Sequence, residues 1–316
     1  MENSRRIFGI GETVLDIVLK DGQPLAAVPG GSTFNALVSL GRTLGRDIPV
    51  LMVSQTGDDK VGGIIREFMG RNSLREDLMR EVHGQTPVSI AILDGKNNAS
   101  YQFLRDAGFP VFKAPEVDFH PGDVVIFGSY YAVSDATFSE VKSLVTKARE
   151  SGAVIYYDIN FRKNHHSELD KLLPRIKAAI ALSDIVRGSS EDIEAVYGSS
   201  DPVKVYNEYI SKACPNFICT RGGDPATLLS PGTCCSIPVP KSGKIVSTIG
   251  AGDNFNAGTL YSIIRNGFTR EKLRGSSQDG KSLTDEDWKV LTYYAFRFSG
   301  EVCESIFNYV PEGFEP

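Results

Sequence analysis

Ser247-Thr248-Ile249-Gly250-Ala251-Gly252-Asp253-Asn254-Phe255-Asn256-Ala257-Gly258 is the stretch on which the reading of this chain turns. Two glycines around an alanine let the backbone turn tightly and bring several N–H groups to bear on one point. Phe255 to Ile264 reads as a helix, so those groups would stand at its N-terminus. Backbone donors and the helix dipole there favour an anion such as phosphate. Asp253 then has two readings that the residues alone leave open. It is a helix cap, since Asp is a favoured N-cap residue, or it is a general base aimed at the same anion.

Outward from this turn, strand-like apolar runs alternate with amphipathic stretches. Ile7–Gly11, Val50–Ser54, Val124–Gly128, Val154–Asp158, Asp184–Arg187 and Asn216–Thr220 are short and rich in Val and Ile, as buried central strands are. Between them Phe34–Leu44, Val61–Met69, Ala136–Arg149 and Leu169–Leu182 carry helical periodicity; Phe34, Leu37, Val38 and Leu44 fall on one face. Such alternation predicts an α/β fold, a mostly parallel sheet flanked by helices on both faces. Two regions break it. Thr13–Val28 reads as a strand and turn with no helix after it. Pro87–Leu93 and Ser100–Leu104 read as strands joined by a turn at Asp94–Asn98. Together, about 12–29 and 86–112, they predict a small β-sheet lid inserted in a single domain over 1–316.

The chain has 316 residues and a formal charge of −5. That balance argues against a nucleic-acid partner, which would need basic density to neutralise phosphates. No apolar run is long enough to span a membrane, and the first residues lack a signal-peptide profile, so the expected compartment is cytoplasmic. The five cysteines form no CxxC pair, which removes the usual zinc and redox readings. His165-His166 reads as a solvated helix start, not a metal site, because no third ligand is near in sequence.

At this point the motifs resemble a known family. Gly250 to Gly258 is similar to the C-terminal signature of PfkB, or ribokinase-like, carbohydrate kinases. Gly30-Gly31-Ser32-Thr33-Phe34-Asn35-Ala36 is similar to their N-terminal glycine-rich signature. Gly57-Asp58-Asp59, Asp158-Ile159-Asn160-Phe161-Arg162 and Thr220-Arg221-Gly222-Gly223 fill the interval in family order, so the resemblance covers nearly the whole chain. It implies that Asp253 is the catalytic base, with Gly250, Ala251 and Gly252 forming an anion hole. Asp16, Gly30, Gly31, Asn35, Phe103, Arg105 and Arg162 would bind the substrate. Thr220, Gly222, Gly223 and Asn256 would bind the nucleotide. ATP and Mg2+ are the implied cofactors, with Asp192 and Glu191 acting on the metal through water, and a homodimer through the lid is the implied assembly.

Two departures stand out. Many relatives carry an acid that helps hold K+ where this chain has Ser247, and many carry NxxE where this chain has Ser189-Ser190-Glu191-Asp192. Within the family, Gly11-Glu12-Thr13-Val14-Leu15-Asp16 and Tyr101-Gln102-Phe103-Leu104-Arg105 resemble fructokinases and 2-keto-3-deoxygluconate kinases. The expectation is phosphoryl transfer from ATP to a primary hydroxyl of a monosaccharide, in the manner of a fructokinase. A sugar-acid kinase, a nucleoside kinase and a non-catalytic sugar-binding relative remain as alternatives.

Overall fold

The computed structural model describes residues 5–93, 99–241, 243–275 and 282–316; the turn expected at Asp94–Asn98 lies outside them. In chain order the strands are β1 (Ile7–Ile10), β2 (Val14–Lys20), β3 (Gln23–Gly30), β4 (Val50–Gly57), β5 (Leu74–Arg75), β6 (Met79–Val82), β7 (Val88–Leu93), β8 (Ala99–Leu104), β9 (Val124–Gly128), β10 (Val154–Asp158), β11 (Ile185–Ser189), β12 (Asn216–Arg221), β13 (Asp224–Ser230) and β14 (Thr233–Ile237). The helices are α1 (Ser32–Leu44), α2 (Lys60–Arg71), α3 (Phe138–Glu150), α4 (Leu169–Leu182), α5 (Ser190–Tyr197), α6 (Pro202–Val205), α7 (Ala251–Arg265), α8 (Arg270–Leu273) and α9 (Asp285–Cys303).

Ten strands form the main sheet in the order β14-β13-β12-β11-β10-β9-β1-β4-β5, with β6 also paired to β4. From β12 to β5 every neighbouring pair is parallel, and the β12–β13–β14 edge is antiparallel. The parallel strands read as continuous apolar runs because both their faces are covered. Alternate residues go to opposite layers. Ile7, Val50, Met52, Val124 and Ile126 pack with α1, α2, α7 and α9. Phe8, Leu51, Val53, Val125 and Phe127 pack with α3, α4, α5 and α6. Each fully buried side chain of this size, such as Phe34 or Trp288, contributes about 1.5–3 kcal/mol over leaving it in water.

The second sheet has the order β3-β2-β7-β8, and it is the small lid sheet expected from the two regions without helices. It is a mixed sheet: β2 runs parallel to β7, with Asp16 beside Ser89, and antiparallel to β3. Val14, Asp16 and Val18 point inward from β2 while Leu15 and Ile17 lie at partly open positions. Val18, Ala91 and Leu93 pack on Ile249, so the lid rests on the residue that precedes the glycine turn.

The helix after that turn begins at Ala251, four residues earlier than its apolar pattern suggests. Gly258 is required further along it: a Cβ there would stand 2.3 Å from the Tyr294 carbonyl oxygen, where α7 crosses α9.

Candidate active site

The parallel strands end in loops that share one cavity with the lid. Its volume is about 660 Å³, and its walls include Glu12 after β1, Ser129 after β9, Asn160 and Arg162 after β10, and Arg187 on β11. Open α/β sheets place ligands at this carboxyl edge. Of the residues expected from sequence, Asp253, Gly250, Gly252, Asp16, Gly31, Asn35, Phe103, Arg105, Arg162 and Glu191 line this cavity.

Gly250 holds the N-cap position of α7 with φ 77°, a left-handed conformation that glycine adopts without penalty. A side chain would also meet the backbone of Asn308 at 2.9 Å. Asp253 is therefore the third residue of the helix and not its cap. By position, the N–H groups of Gly252 and Asp253 have no acceptor inside the helix, which leaves them for an anion. The Ala251 N–H is drawn instead to the Thr248 carbonyl at 3.2 Å.

Asp253 accepts a hydrogen bond of 2.8 Å from Asn35 Nδ2. Burial pushes its carboxyl up to about 7; the Asn35 hydrogen bond opposes this and the charge of Asp158 adds to it. A carboxylate with this proton affinity suits base catalysis near neutral pH. Across the cavity Asp16 is likewise pushed up, to about 6, by burial, while Ser89 and Arg162 hold it down. Gly30 is required here by close approach: a Cβ would stand 2.0 Å from Asp16 Oδ2.

A second layer supports the turn. Arg187 pairs with Asp158 at 3.1 Å and donates to Thr220 Oγ1 at 2.6 Å. Asp158 in turn accepts from Asn256 Nδ2 at 2.7 Å, and Asn256 Oδ1 accepts from the Tyr156 hydroxyl at 2.9 Å. The Asn256 side chain, expected at the nucleotide, is thus buried on α7 and holds Asp158. Thr220 touches the site through Arg187, while Gly222 and Gly223 form the exposed β12–β13 connection.

The metal-directed pair divides. Glu191 faces the cavity, whereas Asp192 accepts from the Ser189 N–H and hydroxyl, both at 2.7 Å, in a capping box at the start of α5. Among the described residues no cluster of three His, Cys, Asp or Glu side chains could hold a metal ion by itself. Ser247 uses its hydroxyl to accept from the Ile249 N–H at 3.2 Å.

Arg105 forms an ion pair with Glu12 at the cavity mouth. His165 corrects the reading as a solvated helix start. Its ring stacks on Tyr130, two residues past β9, with centroids 3.9 Å apart and lines the cavity. Burial lowers its proton affinity. Sequence reasoning also missed Asn308, whose Nδ2 donates to Asp16 Oδ2 at 3.3 Å. The Asn308 carbonyl accepts from Asn254 Nδ2 at 2.8 Å, and Val310 N–H reaches Ser39 Oγ at 3.1 Å. This segment after α9 therefore ties the lid, α1 and the glycine turn together. No motif marks it in the sequence.

Residues 6–281 match the family described as pfkB family carbohydrate kinase. The chain belongs to that family. It is a kinase of the class that transfers phosphoryl groups to alcohol acceptors. Among pfkB relatives, the aminoimidazole riboside kinase of Salmonella typhimurium is 23% identical over 84% of this chain and 83% of its own length. A fructokinase of Rhizobium leguminosarum bv. trifolii is 27% identical over 81% of this chain and 79% of its own. The crystal structure of fructokinase from Vibrio cholerae O395, with fructose, ADP and calcium ion bound, has a TM-score of 0.80 and 19% identity. The match covers 96% of this chain and 94% of that one. The fold is ribokinase-like, with a large mostly parallel sheet and a separate lid sheet.

Proposed function

We propose that this pfkB kinase moves the γ-phosphoryl group of ATP to a primary hydroxyl of a monosaccharide, in the manner of a fructokinase. The observation that carries the reading is the meeting of the two glycine-rich signatures. Asn35, from the first, is hydrogen-bonded to Asp253, from the second, with Asp16 facing the same cavity. Carboxylate and amide oxygens accept hydroxyl protons, so Asp16 and Asn35 suit a diol. They deliver one hydroxyl to Asp253 at a helix N-terminus built for phosphate.

In the proposed step Asp253 takes the hydroxyl proton as the sugar oxygen forms its bond to the γ-phosphorus. The bond from that phosphorus to the bridging oxygen breaks, and its electron pair leaves with ADP. The N–H groups of Gly252 and Asp253 receive the charge on the moving group. The lid excludes water, which would otherwise compete as acceptor. The nucleotide lies towards Thr220, Gly222 and Gly223. Magnesium, near Glu191, would neutralise phosphate charge.

Arg105 is engaged by Glu12, which favours a neutral sugar over a sugar acid. The stacked Tyr130 and His165 rings favour a second reading, a riboside whose planar base lies against them. The test is ADP release from Mg-ATP with fructose, ribose, 2-keto-3-deoxygluconate and a nucleoside. Release that requires fructose supports the first reading, and release with the nucleoside alone supports the second. Silence with all four, while a sugar still raises the melting temperature, would leave a binding protein.

A further inference from the structure

We infer that Arg187 is a catalytic residue of this chain, a buried guanidinium that contacts the phosphoryl group as it crosses the glycine turn; the inference rests on the kinase reading above. The resemblance assigns no role to this position, and in sequence it is simply the end of an apolar strand. In the structure it is the middle residue of β11, lines the cavity and is 7% exposed. Its guanidinium lies against Gly252 of the glycine turn. A Cβ on Gly252 would stand 3.0 Å from Nη2 and 3.1 Å from Nη1. The cation therefore adjoins the same backbone N–H groups that await an anion.

Its fixation has a direction. Nη1 is held by Asp158 and Nη2 by Thr220, at the start of the loop proposed for the nucleotide. Nε has no acceptor among the described residues. That nitrogen is sealed from the cavity, so a phosphate oxygen would meet Arg187 where the residue lines the cavity and not at Nε. A purely structural ion pair would gain from satisfying all five donors. Arg187 thus joins the nucleotide loop, Asp158 and the anion turn in one rigid unit. Planar guanidinium geometry matches phosphoryl oxygens better than an ammonium does. In the transfer step no bond forms to Arg187. It stabilises the charge on the three non-bridging oxygens while the bond to the bridging oxygen breaks and the bond to the sugar oxygen forms.

The experiment compares wild type, Arg187→Lys and the double variant Arg187→Gln/Asp158→Asn, in which the buried carboxylate loses its charge together with its partner. Steady-state ADP release is measured beside calorimetric binding of Mg-ADP, with and without aluminium fluoride as a stand-in for the moving phosphoryl group. The expected result is that the double variant binds Mg-ADP within about threefold of wild type while kcat falls about 10²-fold. Its aluminium fluoride complex weakens by a comparable factor, and Arg187→Lys recovers only part of both. The inference is overturned if the double variant keeps kcat within threefold. It is equally overturned if Mg-ADP binding falls as much as binding of the aluminium fluoride complex in both variants, which is the mark of a structural pair. A wild type that binds no Mg-ADP would defeat the kinase reading itself, a result visible before any variant is made.

Discussion

Asn35 and Asp253 stand 218 residues apart in the chain and 2.8 Å apart in space, with the amide donating to the carboxylate. The bond stabilises the ionised form of a group that burial otherwise drives towards its neutral form. Everything proposed for catalysis depends on that balance.

Asp253→Asn is expected to lower kcat by about 10²–10⁴-fold, the usual worth of a general base. Its effect on stability should run the other way. A carboxyl whose folded value is near 7 binds its proton more tightly folded than unfolded. Folding stability therefore falls as pH rises from about 4 to about 7, and stays low above that. At pH 8 the variant should melt no lower than wild type, and about 2–4 °C higher if the charge is the main cost. Scanning calorimetry at pH 8 together with ADP release checks both halves; near-normal turnover would remove Asp253 as the base.

The pH dependence of kcat/KM should have an acid limb near 7, because only the ionised Asp253 accepts a proton. Asn35→Ala deletes the hydrogen bond that lowers this value, so the limb should move upward in pH. A limb that stays in place would mean that the titrating group is not Asp253. Asp16, raised to about 6, would then be the next group to substitute.

Gly258→Ala tests the packing of α7 on α9. The added methyl would meet the Tyr294 carbonyl oxygen at 2.3 Å, so the helices must part. Overpacking of this kind costs about 1–3 kcal/mol, readable as a lower denaturant midpoint with unchanged slope. An unchanged midpoint would show that the crossing is looser than described.

The outer lid predicts assembly. Leu25, Ile92 and Leu104 remain 44–47% exposed on the small sheet, and exposed apolar patches of this sort mark association surfaces. Light scattering should give about twice the chain mass of 34.4 kDa. A species at the chain mass across working concentrations would set the lid dimer aside.

How much was legible beforehand follows from what each residue reports to its neighbours in sequence. The central strands were readable because burial on both faces writes itself as an unbroken apolar run, as in Val124–Gly128. The lid was readable as a failure of strand–helix alternation. Asp253, Asn35 and Asp16 sit in local motifs that announce themselves. Arg187 and Asn308 do not, since their meaning arises only when β11 and the segment after α9 are brought against the glycine turn. His165 was misread for a similar reason. Its stacking partner, Tyr130, lies 35 positions earlier, and the signal at hand was a polar helix start. The edge strands β5 and β6 were missed because short, half-exposed strands lack a period to count.

The segment from Asn308 to Val310 fastens the lid carboxylate, α1 and the glycine turn at once. It is also made by the ribosome after every other part of the site. A nascent chain that has already packed both layers of the large sheet still has Asp16 without Asn308 and the glycine turn without its backstop. The site therefore gains its working geometry only once this segment has been made and packed against parts of the chain that precede it.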